Sequence, residues 1–132
     1  MKVTHPLVSV VDDDESIRES LPDLLNEFGF SAEAFSSAEE FLASDSVGKT
    51  RCLILDVAMP GMTGPDLQRK LARRGQPIPI VYITGRKDET VTGRKDETVR
   101  PRLIEQGAVE CLFKPFSDTV LQEALTSALR AG

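Results

Sequence analysis

Five short apolar runs, each closed by a polar residue and separated by stretches of helical periodicity, constrain this chain more than any other feature. LVSVV (residues 7–11) stops at Asp12, and CLILD (residues 52–56) ends in Asp56. Residues 78–83 give way to Thr84, and residues 110–113 to Lys114. A weaker run, SAEAF, covers residues 31–35. After the first run, Ile17, Leu21, Leu24, Leu25 and Phe28 recur on one helix face, and Gly29 marks its end. The order is βα repeated five times. Strands that are apolar on both faces need cover on both sides, so an α/β fold with a doubly wound five-stranded parallel sheet and five helices is expected.

Local signals place the helices. Asp14 can cap the first, which contains Pro22 and should kink there. Ser36 and Ser37, with Glu39 and Glu40 three residues on, offer capping boxes for a helix through Phe41 and Leu42. Pro65 suits the first position of a helix ending at Arg74 before Gly75. A fourth helix is expected from about Pro101 to Gln106, and a fifth behind a cap at Ser117 or Asp118.

At 132 residues the chain supports one domain, residues 1–132. A net charge of −5 gives no general attraction for nucleic acid. Nothing approaches the roughly 20 apolar residues of a membrane span. Residues 1–6 do not read as a secretory leader, and a cytoplasmic protein is expected. Cys52 and Cys111 lie inside apolar runs and should be buried free thiols.

In a parallel sheet the carboxyl ends of the strands share one edge. Asp12, Asp13, Asp56, Thr84 and Lys114 would converge there. Each has a bland reading: an aspartate can cap a helix or loop, Thr84 can serve a turn, and Lys114 can be a solvated charge. Together, at the ends of otherwise apolar strands, they suggest a site. Crowded carboxylates raise one another's pKa unless a cation is present, and oxygen donors with room for water suit Mg2+. A carboxylate beside Mg2+ and an ammonium can attack a phosphoryl group.

The motifs VVDDDES, LILDVAMPGMTG, VYITG and CLFKPF resemble those of the response regulator receiver domain of two-component signalling, over essentially the whole chain. The resemblance implies a flavodoxin-like strand order, 2-1-3-4-5. It implies Asp56 as phosphoacceptor. Asp12 and Asp13 would be the acidic pair, with Asp13 preferred over Asp12 as the direct ligand, that together with Asp56 and the backbone carbonyl of Ala58 binds Mg2+. Thr84 and Lys114 would contact the phosphoryl group, with Pro115 as a cis-proline aiming the lysine. The implied partner is a sensor histidine kinase. A homodimer formed on phosphorylation and a C-terminal DNA-binding output domain outside this chain are also implied. A receiver catalyses its own phosphorylation and hydrolysis and processes no metabolite. His5, the single histidine, reads as an ordinary surface residue.

The chain departs from that pattern in three places. Cys111 stands where the family has an aromatic residue. Pro22 interrupts the first helix. Residues 84–91, TGRKDETV, are repeated without change as residues 92–99. Thr92 stands eight positions nearer Lys114 than Thr84 does, and removing one octapeptide restores the family's usual spacing. Thr84 directly follows a run able to fill a buried strand, whereas Thr92 follows KDETV, so Thr84 is expected in the site. The charged second copy is expected to be a solvated, mobile loop. The insertion should weaken signal output more than phosphoryl capture. Two rival readings are a binding-only module with a silent site and a metal-dependent aspartyl phosphatase. Many such phosphatases carry a carboxylate two residues after the nucleophile. Ala58 stands there, which counts against the second rival.

Overall fold

The computed structural model describes residues 5–85 and 96–131. The elements in chain order are β1 (Leu7–Val11), α1 (Glu15–Glu27), β2 (Ser31–Phe35), α2 (Ala38–Leu42), a short 3-10 turn (Val47–Lys49) and β3 (Thr50–Asp56). Then follow α3 (Gly64–Arg73), β4 (Ile80–Thr84), α4 (Asp96–Glu105), β5 (Glu110–Phe113) and α5 (Asp118–Ala131). All paired strands are parallel, and the sheet order is β2-β1-β3-β4-β5.

Alternation along the strands sends side chains to two layers. Leu53, Leu55, Tyr82 and Cys111 join a cluster covered by α2, α3 and α4. Cys52, Ile54, Val81 and Leu112 join the opposite cluster, under α1 and α5. Both cysteines are buried thiols, one on each face of the sheet. Each fully buried aliphatic side chain contributes about 1.5–3 kcal/mol, so both layers are needed to hold the sheet. Ser9, a polar residue in the middle of β1, is fully buried because its hydroxyl pairs with that of Thr50 at 2.7 Å. The Thr50 hydroxyl in turn donates to the Ser46 carbonyl at 2.7 Å.

The caps follow local sequence. Asp14 caps α1, and Ser37 caps α2 by accepting from the Glu40 N–H. Ser117 accepts from the Val120 N–H at 3.1 Å at the start of α5. Thr63 and Asp66 form a reciprocal capping box on α3, which begins at Gly64, so Pro65 falls within its first turn. Beyond α3, Gly75 takes φ +72, and Gln76 N–H returns to the Leu71 carbonyl, closing the helix end.

The starts of β4 and α4 differ from expectation. β4 begins at Ile80, not residue 78, because Pro79 has no N–H to give the ladder, although its carbonyl accepts from Leu53 N–H at 2.9 Å. α1 contains Pro22, as expected. The largest difference is α4, which begins at Asp96 rather than Pro101. Residues 96–99, the end of the second octapeptide, are therefore helical and not loop. Pro101 is accommodated within the helix. The rest of the second copy, including Thr92, lies outside the described residues.

Candidate functional site

The DDD run after β1 divides into three roles. Asp12 is fully buried, and its carboxylate accepts from the Asp14 N–H at 2.9 Å. Asp13 is exposed. Asp14 turns outward as the α1 cap, accepting from the Ser16 N–H at 3.0 Å and the Ser16 hydroxyl at 2.8 Å. Those bonds hold its carboxyl below the usual range.

Asp56, the last residue of β3, is 6% exposed. The chain leaves it through a fixed link. Val57 N–H donates to the Ile83 carbonyl at 3.1 Å, and Gly64 N–H donates to the Val57 carbonyl at 3.0 Å. Gly64 is required there: a Cβ would lie 2.5 Å from the Asp56 carbonyl oxygen and 2.8 Å from Cε1 of Tyr82.

On the other side, Lys114 N–H donates to the Thr84 carbonyl at 2.9 Å, tying the end of β5 to the end of β4. The Lys114–Pro115 peptide is cis. Lys114 Nζ lies 2.9 Å from Asp12 Oδ2 and 3.9 Å from Asp14 Oδ2. Asp12, Asp13, Asp56, Ala58 and Lys114 line one cavity of about 530 Å³, together with Asp14, Glu15 and Gly85. Thr84 is buried at the end of β4 beside this cavity, whose wall at that point is Gly85.

Charge is unbalanced inside this cavity. Burial, and then the charge of Asp12, push the Asp56 carboxyl up to about 8; Lys114 pulls it down without winning. Burial alone would favour a neutral Lys114 amine. The hydrogen bond and charge of Asp12, followed by the charges of Asp56 and Asp14, outweigh that and raise its pKa. Asp12, Asp13 and Asp56 each offer a carboxylate oxygen, all within 4.8 Å of one another. On one hexacoordinate Mg2+ at about 2.1 Å, neighbouring oxygens are about 3 Å apart and opposite ones about 4.2 Å, so carboxylate oxygens within 4.8 Å of one another are close enough to be drawn onto such an ion.

The structure thus brings together the acids, Ala58 and Lys114 named from sequence, and sets Thr84 beside them. Sequence reasoning missed three contributors. Asp14 and Glu15 line the cavity as well, and Arg18 Nη1 donates to the Asp12 carbonyl at 3.1 Å. Arg18 lies one helical turn beyond the Asp14 cap, a spacing that was available as a signal.

The sequence profile of the response regulator receiver domain matches residues 8–126. Nodulation protein W of Bradyrhizobium diazoefficiens is 42% identical over 125 residues, covering 95% of this chain and 52% of that protein. The response regulator protein TodT of Pseudomonas putida is 38% identical over 124 residues, covering 94% of this chain and 51% of that protein. The chain therefore spans about half the length of these curated relatives. The solved structure of the response regulator StyR superposes with a TM-score of 0.81 at 39% identity, covering 97% of this chain and 61% of that one. Strand order, acidic edge and sequence agree: this chain belongs to the response regulator receiver domain family of two-component signalling.

Proposed function

We propose that this chain is a phosphorylation-dependent switch whose Asp56 accepts a phosphoryl group from a phosphohistidine of a sensor histidine kinase. The observation that carries this reading is the meeting of Asp12, Asp13, Asp56 and Lys114 in one cavity at the carboxyl edge of the sheet. Receiver domains act as phosphoacceptor regulators rather than as enzymes on metabolites, and the site suits that task.

An ionised Asp56 oxygen attacks phosphorus in line with the leaving imidazole. The new O–P bond forms as the P–N bond breaks, and that electron pair stays on the imidazole nitrogen. Lys114 offsets negative charge on the phosphoryl oxygens once it exchanges part of its pairing with Asp12. Thr84, at the end of β4, supplies a hydroxyl that turns toward the same group. The Asp12, Asp13 and Asp56 carboxylates, with the Ala58 carbonyl, would hold Mg2+. Bound there, Mg2+ supplies the charge that keeps all three acids ionised and stabilises the transferring group. In this reading the domain catalyses its own phosphorylation and hydrolysis. Ala58 provides no carboxylate two positions after Asp56, which disfavours a phosphatase acting on other substrates.

The reading takes residues 1–132 as one receiver unit whose output surface lies around α4 and β5. A homodimer formed on phosphorylation belongs to the same reading, and a C-terminal DNA-binding output region outside residues 1–132 is compatible with the half-length match to the relatives. No helix among the described residues is long and apolar enough to cross a membrane, and a cytoplasmic setting fits the kinase partner. The test is incubation with Mg2+ and acetyl phosphate, read by intact mass. One added phosphoryl group is expected on the wild type, none without Mg2+, and none on Asp56→Ala. A wild-type protein that gains nothing is a silent module, and a gain persisting in Asp56→Ala removes the acceptor assignment.

A further inference from the structure

We propose that Tyr82 and Gln68 form a positioning relay that couples the backbone at Asp56 to the C-terminal end of α4. The inference rests on Asp56 being the phosphoacceptor. Tyr82 is the chain's one tyrosine, fully buried in the middle of β4. Its ring meets the Asp56–Gly64 contact so closely that a single added methyl on Gly64 would strike both the Asp56 carbonyl and the ring. A shift of the Asp56 backbone is therefore felt at Tyr82.

From the ring the path is polar and directional. Tyr82 O–H donates to Gln68 Oε1 at 2.7 Å. Gln68 Nε2 donates to the Gln106 carbonyl at 3.3 Å. A phenol proton at one end and a carbonyl at the other fix the amide orientation, since a carbonyl only accepts. Gln106 directly follows α4, so the relay joins β4, α3 and the end of α4 through two side chains.

Two features of this chain give the relay its importance. The covalent route from Thr84 to α4 passes through the duplicated stretch, whereas the relay crosses directly. Cys111, paired in register with Tyr82, puts a small side chain beside the ring on the same layer. Tyr82 is then the ring at this register pair, and a movement of α3 or β4 reaches α4 through its hydroxyl.

Backbone amide spectra of the wild type, Tyr82→Phe and Gln68→Leu, each with Mg2+ and beryllofluoride as phosphoryl mimic, test the relay. In the wild type, signals of residues 13 and 58 and of residues 106–108 should all move. In both variants residues 13 and 58 should move as before, with affinity for the mimic changed by no more than about two-fold, while residues 106–108 move less than about half as far. Full movement at residues 106–108 in both variants overturns the relay. Equal loss at residues 13 and 58 also overturns it, because the pair would then be merely structural. If residues 13 and 58 stay still in the wild type, the acceptor reading fails first and the relay falls with it.

Discussion

The two junctions that leave the sheet beside the site, β3 to α3 and β4 to α4, are built in opposite ways. After Asp56, residues 57–63 are tied at both ends by the Val57 and Gly64 backbone bonds and by the Thr63–Asp66 capping box. After Thr84 the chain carries a perfect octapeptide repeat. There the order comes from behind: Arg100 Nε and Nη2 meet Glu110 Oε1 at 2.8 and 2.6 Å, Leu103 is buried, and Val109 N–H donates to the Ile80 carbonyl at 2.8 Å. A link that aims a reacting group must be short and fixed. A link to a helix with its own anchors can lengthen, because loop-closure entropy grows only slowly with length.

The sharpest way to break the first junction is at its acid. Asp56→Ala should abolish phosphoryl gain from acetyl phosphate, read by intact mass. Next, the metal-free protein should lose stability as pH rises. Unfolded Asp56 ionises near the ordinary 3.8, whereas folded Asp56 holds its proton to about 8. The folded state therefore binds more protons between those values, and stability falls with rising pH across that window, then levels off. Asp56→Asn should remove this slope and stabilise the metal-free protein at pH 8 by up to about 5 kcal/mol, less as solvent screens the partly accessible carboxyl, measured by urea unfolding. Added Mg2+ should favour the ionised wild type and narrow that difference. Gly64→Ala, which drives a methyl into the Asp56 carbonyl and Tyr82, should cost about 2 kcal/mol in the same assay. Deleting one octapeptide from the second junction should change stability by less than about 1 kcal/mol and leave phosphoryl gain intact. A loss as large as that of Gly64→Ala would show that both junctions are equally constrained.

Much of this was legible because strand ends are punctuation. The apolar runs stop where Asp12, Asp56, Thr84 and Lys114 stand, and a parallel sheet gathers those stops on one edge. Capping chemistry was equally readable at Asp14 and Ser37, since it is local. The start of α4 was not, because Pro101 is a strong start signal and the acidic residues before it sat inside a repeat that read as loop. The Tyr82–Gln68 bond depends on how α3 lies against β4, and no local pattern encodes that. The pairing of the half-buried Lys114 with the buried Asp12 likewise depends on how β5 lies beside the site.

The two thiols make each layer separately observable. Cys52, whose thiol burial pushes up to about 12, sits beneath α1 and α5, and Cys111 beneath α3 and α4. A thiol reagent can modify either one only when its own roof lifts. Native-state labelling of the two single-cysteine variants would thus act as a pair of clocks, timing separately how often the α1–α5 roof and the α3–α4 roof open.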